Sequence, residues 1–360
     1  MSPVYIIAEA GVNHNGNAEL AYKLVDAAVA SGADAVKFQT FKADRLVTRS
    51  AVKASYQCKT TDAAESQYQM LKRLELSEDL HRELMAYCKQ KGIDFLSTAF
   101  DEDSLQFLNN DLGLKTLKIP SGELTNAPLV LAHARVADKL IVSTGMANLE
   151  EIESALSVIA YGYTHAEDRD LPSETLFKKA YLSPEGMASL KDNVILLHCT
   201  TEYPAPMQDI NLKAMDAMGV KFGLPIGYSD HSQGITIPIA AAARGAVLIE
   251  KHFTLDKTMD GPDHQASLEP SELTAMVNAI RAVEEALGDG QKTIRPSELA
   301  NKNIARKSLV AVTNIAKGDT YSADNLCVKR PGGGMSPINF WQLLGQPATK
   351  NFKAGDLIDE

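Results

Sequence analysis

The chain has 360 residues, 45% of them hydrophobic and 23% charged, with a formal net charge of −10, which is the composition of an ordinary folded protein with ample material for a core. Its longest apolar runs, such as residues 237–243, fall far short of the roughly 18 to 20 residues that span a bilayer, and the acidic balance disfavours nonspecific binding to nucleic acid or an anionic membrane. Cys58, Cys88, Cys199 and Cys327 are scattered with no C-x-x-C pair, so neither a zinc ribbon nor a redox motif is supported, and the free thiols of a cytoplasmic chain are expected.

No basic segment or small-residue cleavage site marks the N-terminus as a signal peptide, and residues 4–8 read as a first strand. A helix is predicted at 18–30 and a second strand at 34–39, followed by a long excursion over 41–76. Residues 78–91 read as a helix stopped by Gly92, and 93–96 as a strand. Asp101 is placed to cap a short helix at 104–108. Further strands are predicted at 116–119, 140–142, 194–197, 225–227 and 247–249, with helices at 148–160, 234–243 and 271–287. A second interruption, 161–190, carries mixed charges, Pro172 and Pro184. Both interruptions read as loop-plus-helix insertions. Eight strands separated by helices or helix-length gaps within residues 1–288 predict an α/β fold, a closed (β/α)8 TIM barrel. An open doubly wound sheet is the alternative, and it lacks the G-x-G-x-x-G that would follow its first strand.

Gly288-Asp-Gly290 ends the last barrel helix, and residues 289–302 read as a polar linker. From 303 to 360 the pattern changes to short strand candidates, 307–312 and 325–328, and to two similar tight turns, Ile315-Ala-Lys-Gly-Asp319 and Phe352-Lys-Ala-Gly-Asp356. A small, mostly-β domain is expected there, too small to be more than marginally stable alone. Residues 291–360 carry ten Lys+Arg and six Asp+Glu, a balance of +4, against 26 and 40, or −14, in the first 290. A basic tail could dock on a neighbouring acidic body; two differently charged solvated surfaces explain the split equally well.

The C-terminal ends of the strands carry the chemistry, because a TIM barrel gathers them at the rim that holds its site. In order they end in Glu9; Lys37 and Gln39; Ser97-Thr98; Lys118, with Ser121 and Glu123 close behind; Ser143-Thr144; His198-Cys199-Thr200; Ser229-Asp230-His231; and Glu250-Lys251-His252. His231 and His252 end neighbouring strands and can converge on one divalent cation such as Mn2+, with water and substrate oxygens in the remaining positions. A hydrogen-bonded pair of rim histidines is the plain alternative, and His14 and His198 compete by position. His81, His133 and His165 are expected at the surface. Thr98, Lys118, Ser121 and Ser143 form a donor-rich arc suited to a phosphate monoester. Such Ser and Thr residues also cap helices, and Lys118 could equally be a Schiff-base lysine. Glu9 and Glu123 are the carboxylates available for proton transfer, Glu9 equally as an ion-pair partner of Lys37 or Lys118. Asp263, in Asp260-Gly-Pro-Asp263, is a turn residue or a partner for substrate hydroxyls. Arg330, on a glycine loop, is solvated or reaches into a site.

The segments Ile7-Ala-Glu9-Ala-Gly-Val-Asn-His14, Val36-Lys37-Phe-Gln39, Lys118-Ile-Pro-Ser121-Gly-Glu123, Ser143-Thr-Gly-Met146, His198-Cys-Thr-Thr-Glu-Tyr203, Ser229-Asp-His231, Glu250-Lys-His252, Gly261-Pro-Asp263 and Lys329-Arg330-Pro-Gly332 together resemble the sialic acid synthase family, which makes nine-carbon 2-keto acids. The resemblance implies a TIM barrel followed by an antifreeze-like (SAF) domain, in a domain-swapped homodimer whose small domain covers the partner's barrel mouth. It implies a transferase that condenses phosphoenolpyruvate and water with an N-acylated mannosamine-type aldehyde, releasing phosphate, with a divalent metal, Mn2+ before Mg2+ or Co2+. By the same resemblance His231 and His252 would bind the metal. Thr98, Lys118, Ser121, Ser143 and Ser229 would hold phosphoenolpyruvate, and Glu123 would be the acid/base. Glu9, Lys37, Gln39, Tyr203 and Asp263 would line the sugar and metal region, and Arg330 would reach the N-acyl group from the partner. Thr201 stands where some relatives have Asn. N-acetylmannosamine, giving sialic acid, is the first expectation for the acceptor; 2,4-diacetamido-6-deoxymannose, giving N,N'-diacetyllegionaminate, is the second. The tail argues against an octulosonate-type synthase, and the histidines beside a phosphate arc argue against a non-enzymatic sugar-binding protein.

Overall fold

Eight strands pair in sequence order, all parallel: β1 (Tyr5–Gly11), β2 (Ala35–Thr40), β3 (Asp94–Ala99), β4 (Thr116–Ile119), β5 (Lys139–Ser143), β6 (Val194–Cys199), β7 (Ile226–Asp230) and β8 (Leu248–His252), with β8 closing on β1. This computed structural model describes residues 3–62, 64–167 and 171–359. Its residues 1–288 and 289–360 form two compact units, and no helix among the described residues is long and apolar enough to cross a membrane.

Successive side chains on a strand face opposite ways, and that period builds the barrel lumen. Ile7, Ala35, Leu96, Ile141, Leu197 and Leu248 form an apolar cluster of their own. Two residues further along the same strands stand Glu9, Lys37, Thr98, Ser143, Cys199 and Glu250. The lumen therefore has a greasy floor and a polar layer above it. The other face of the strands joins the large core beneath the surrounding helices. Gly227 keeps β7 close to its neighbours: a Cβ there would lie 2.6 Å from the Leu248 carbonyl oxygen.

The helices start and stop where their caps dictate. Ala18–Ala30 is capped by Asn17, and Glu78–Lys91 by Ser77, ending at left-handed Gly92. Asp101 caps Glu102–Gln106, and the chain then continues as a π-helical turn, Phe107–Asp111. The first excursion holds short helices Ala43–Leu46, Ser55–Thr60 and Gln67–Leu74. At the second, the preceding helix runs on to Thr164, and Glu174–Leu182 and Pro184–Asn193 pack against it. The stretch expected as a linker is not all irregular. Helix Pro296–Ala305 begins inside it, with Pro296 in its first turn and the Glu298 carboxylate accepting the Arg295 N–H at 2.9 Å.

His165 is exposed as expected, but His81 and His133 are not surface residues; each is 1% exposed. His81 lies on one helix face with Leu84 and Cys88, so helical period carries it inward. Its Nε2 meets Thr40 Oγ1 at 2.8 Å. His133 Nδ1 donates to the Leu129 carbonyl at 2.8 Å, and burial pushes this imidazole down to about 4. The unfolded chain takes up a proton near pH 6.5 that the native state refuses until about pH 4, so this residue costs stability as pH falls through that window, about 3 kcal/mol in all. His133→Leu is expected to flatten the acid side of the melting-temperature profile; a profile still as steep as the parent's would exclude the effect.

In the second unit β9 (Ser308–Ala311) and β10 (Leu326–Lys329) pair antiparallel over a core of Leu309, Ile315, Tyr321, Leu326, Phe352 and Ile358. The two similar turns face each other, with Ile315 bridged to Phe352. Asp319 and Asp356 each accept a backbone N–H of their own turn, from Ala316 and Lys353, at 2.8 and 2.7 Å. Asn351 accepts from Lys317 N–H at 2.6 Å, and Asn314 from Ala354 N–H at 3.0 Å. Each asparagine precedes its own turn and seals the other one.

Candidate active site

The polar layer of the lumen brings four charges together out of water. Lys37 Nζ stands 2.7 Å from Glu9 Oε2 and 3.5 Å from Glu250 Oε2; Lys118 Nζ stands 3.7 Å from Glu250 Oε1. All four side chains are at least 94% buried. Burial disfavours the charge on Glu250, but Lys118 and Lys37 outweigh it and hold the carboxyl down at about 2. For Glu9 burial wins over Lys37, and with Glu250 nearby its carboxyl rises to about 7. Burial opposes the charge on Lys37 too, yet Glu250 and Glu9 keep it above the usual lysine range; Lys118, where burial dominates, is drawn below it.

Hydroxyls ring these ammonium groups. Lys37 donates to Thr98 Oγ1 at 2.9 Å, Lys118 to Ser143 Oγ at 2.5 Å, and Ser229 donates to Glu250 Oε1 at 2.9 Å. Ser121 follows β4 and does not bond Lys118: its Oγ accepts the Gly145 N–H at 3.0 Å and meets Cys199 Sγ at 3.1 Å. A Cβ at Gly145 would collide with Ser121 Oγ, Cys199 Sγ and Thr201 Oγ1, and that Thr201 hydroxyl is buried without a hydrogen-bond partner. Two cations with flanking hydroxyls make a receptor for a small anion.

The histidines converge beside this arc. The rings of His231 and His252 lie 5.6 Å apart, and burial holds both imidazoles below their usual range, hence neutral. His231 Nδ1 donates to the Thr200 carbonyl at 2.7 Å, which fixes the tautomer and leaves Nε2 a free lone pair. His252 Nδ1 is buried without a hydrogen-bond partner, 3.9 Å from Asp263 Oδ2. Two neutral imidazoles, one of them orphaned, fit a divalent cation. Among the described residues no group of three or more His, Cys, Asp or Glu is arranged to hold one, so the protein would supply two nitrogens and leave other positions to oxygen ligands. Asp263 is buried, and burial pushes its carboxyl up to about 6. Gln39 donates to Glu9 Oε1 at 3.4 Å. Tyr203 lies against His231 at 4.1 Å between ring centres.

The remaining sequence candidates stand further out. His14 Nδ1 accepts the Gly16 N–H while its Nε2 is buried without a hydrogen-bond partner, and His198 Nε2 donates to the Ile210 carbonyl. Glu123 is half-buried in a 3-10 turn, Ser121–Glu123, and accepts from Asn126 Nδ2 at 2.7 Å. Arg330 is an exposed residue of the second unit. Two residues of the site escaped the sequence reading. Glu250 shares a strand face with His252 by the two-residue period, a signal that was available. Tyr56, from the first excursion, packs its ring 5.1 Å from Tyr203; nothing in its local sequence marks it.

Comparison with known proteins assigns the family and the fold. The NeuB family profile matches residues 24–292, and the SAF domain profile matches residues 306–360. The chain is 50% identical over 360 residues, 100% of both proteins, to N,N'-diacetyllegionaminic acid synthase of Campylobacter jejuni. It is 45% identical over 354 residues, 98% of this chain and 93% of the relative, to the synthase of the same name from Legionella pneumophila. The crystal structure of N-acetylneuraminic acid (sialic acid) synthetase from Leptospira borgpetersenii, in complex with citrate, is 34% identical and superposes with a TM-score of 0.66 over 83% of this chain and 90% of that one. A barrel with two buried lysines and a histidine pair at its rim, followed by a small β unit, thus belongs to the NeuB family: the chain is an enzyme, a synthase of the sialic acid type with a C-terminal SAF domain.

Proposed function

We propose that the enzyme condenses phosphoenolpyruvate with the open-chain aldehyde of 2,4-diacetamido-6-deoxymannose, consuming water and releasing phosphate, to give N,N'-diacetyllegionaminate. The observation that carries the chemistry is the Lys37–Lys118 layer with its hydroxyls, set beside two neutral imidazoles. Full-length identity to two synthases of that name favours the diacetamido sugar over N-acetylmannosamine, reversing the order expected from sequence.

Lys118, Ser143, Thr98, Ser121 and Ser229, with Lys37, hold the phosphate and carboxylate of phosphoenolpyruvate by charge-assisted hydrogen bonds. A divalent cation on His231 and His252, Mn2+ before Mg2+ or Co2+, would supply Lewis-acid polarisation of the aldehyde oxygen. Tyr203, Asp263 and Gln39 orient the sugar. The C2–C3 double bond of phosphoenolpyruvate supplies the electron pair for the new bond from C3 to the aldehyde carbon. The aldehyde oxygen takes up a proton, and water adds to C2 and gives one up. The C2 hydroxyl then loses its proton as the C2–O bond breaks, its electron pair leaving with phosphate. Glu123, at the rim and bonded to Asn126, is assigned the water's proton on the family resemblance. Glu123→Gln is expected to lower kcat by roughly a hundredfold or more with Mn2+ binding and melting temperature unchanged; a kcat within tenfold of the parent would move the role to Glu9.

Phosphate release decides the acceptor. Release is expected with the diacetamido sugar, about tenfold or more slower with N-acetylmannosamine, and absent without sugar or after chelation until Mn2+ is restored. Equal or reversed rates reassign the acceptor, and release without sugar refutes the synthase chemistry. We also infer a domain-swapped homodimer in which Arg330 reaches the partner's acceptor.

A further inference from the structure

Asp230 and Lys251, the residues immediately before His231 and His252, form an ion pair with no exposed surface, Nζ to Oδ2 at 2.6 Å. They are directly opposite each other in the β7–β8 ladder, and theirs is its last rung. By the strand period they face away from the lumen layer of Ser229 and Glu250, so the pair has no part in the chemistry assigned above.

Every arm of this pair grips the segment that carries His231. Asp230 Oδ1 accepts the Ser232 N–H at 3.0 Å, Asp230 Oδ2 accepts the Ser232 hydroxyl at 3.1 Å, and Lys251 Nζ donates to the Ser232 carbonyl. From the other side, the His231 carbonyl accepts the Ala205 N–H at 2.8 Å and its Nδ1 is held by Thr200. Beyond Asp230 the ladder stops, and His231 has no sheet partner to fix it against β8. The ion pair takes the place of the missing rung.

We propose that the Asp230–Lys251 pair is a positioning element that sets His231 at the distance from His252 needed to share one divalent cation. This rests on the metal reading given under the proposed function. Stability alone gives no reason for the pair, since apolar residues of similar volume in place of a buried ion pair are commonly neutral or stabilising. Geometry does, because groups behind a metal ligand typically control affinity 10- to 100-fold.

The experiment uses the full chain, stripped by chelator and titrated with Mn2+, with free ion read by electron paramagnetic resonance and the fold by thermal melting. The double variant Asp230→Leu/Lys251→Met leaves no unpaired charge. It is expected to melt within about 5 °C of the parent yet bind Mn2+ roughly 10- to 100-fold more weakly. Parental affinity in a folded double variant overturns the proposal. Should the double variant melt far lower, Ser232→Ala decides, because it removes one arm and neither charge: several-fold weaker Mn2+ binding at an unchanged melting temperature supports the pair's role, and unchanged affinity overturns it. A parent chain that binds no Mn2+, or a His252→Ala chain that binds it undiminished, overturns both the metal reading and the pair's role, while phosphate release reports on the synthase chemistry separately.

Discussion

Lys118→Met is expected to lower kcat/KM for phosphoenolpyruvate by roughly 10²- to 10³-fold, the loss typical of removing one strong donor to developing negative charge, and to depress the melting temperature as well. The ammonium is buried between Ser143 and Glu250. Without it, Lys37 alone faces Glu9 and Glu250. Because Glu250 keeps Lys37 at 3.5 Å, the stability loss falls below the roughly 3–5 kcal/mol of a buried carboxylate left with no partner. Methionine fills the volume of the lysine stem, so the loss reflects charge rather than a cavity. Steady-state phosphate release with a thermal melt checks both effects, and a kcat/KM within tenfold of the parent would remove Lys118 from the anion site. The same variant tests the assembly. Co-expressed with an Arg330→Ala chain, it should recover about a quarter of parental activity, because half of the randomly paired dimers are mixed and each mixed dimer holds one intact site. No recovery would count against Arg330 acting across the dimer.

Glu250→Gln should be the most destabilising single change in the lumen. Glu250 accepts from Ser229 and balances both lysines. An amide there removes the charge and turns an N–H₂ toward an ammonium group. The loss falls in the range of about 3–5 kcal/mol for a broken buried pair, with turnover falling alongside as Lys118 loses its anchor. Glu9→Gln should cost distinctly less, because burial already pushes the Glu9 carboxyl up toward neutrality, so the amide resembles a form the site half accepts. Equal losses in denaturant titrations would mean that both carboxylates carry the same charge and that the unequal pairing is wrong.

The barrel was legible because its strands are short runs of Val, Ile and Leu that alternate with capped helices, as at Asn17, Ser77 and Asp101. The rim was legible because function puts polar residues where a strand would otherwise end in apolar ones. The Glu250-Lys251-His252 run does not by itself show which of its members face the lumen; the two-residue period separates Glu250 and His252 from Lys251 and gives them different partners. His81 and His133 went astray for the converse reason: a polar side chain in an apolar helical stripe is carried inward and must find its hydrogen bond there. The Pro-Ser-Glu start of helix Pro296–Ala305 is a helix signal inside an otherwise polar stretch. Tyr56 had no signal, because the excursion that carries it has no period to place it.

The crossed asparagines of the small unit bear on how it folds. Asn314 and Asn351 make the same bond in opposite directions, to partners 40 and 34 residues away in sequence. This is the reciprocity of a two-fold interface, residue for residue, contained in one chain. Neither turn can be finished as a local event, since each waits for a side chain from the far half. The loop-closure entropy must be met before either half is rewarded. A lesion at either asparagine is therefore expected to loosen the turn in the opposite half.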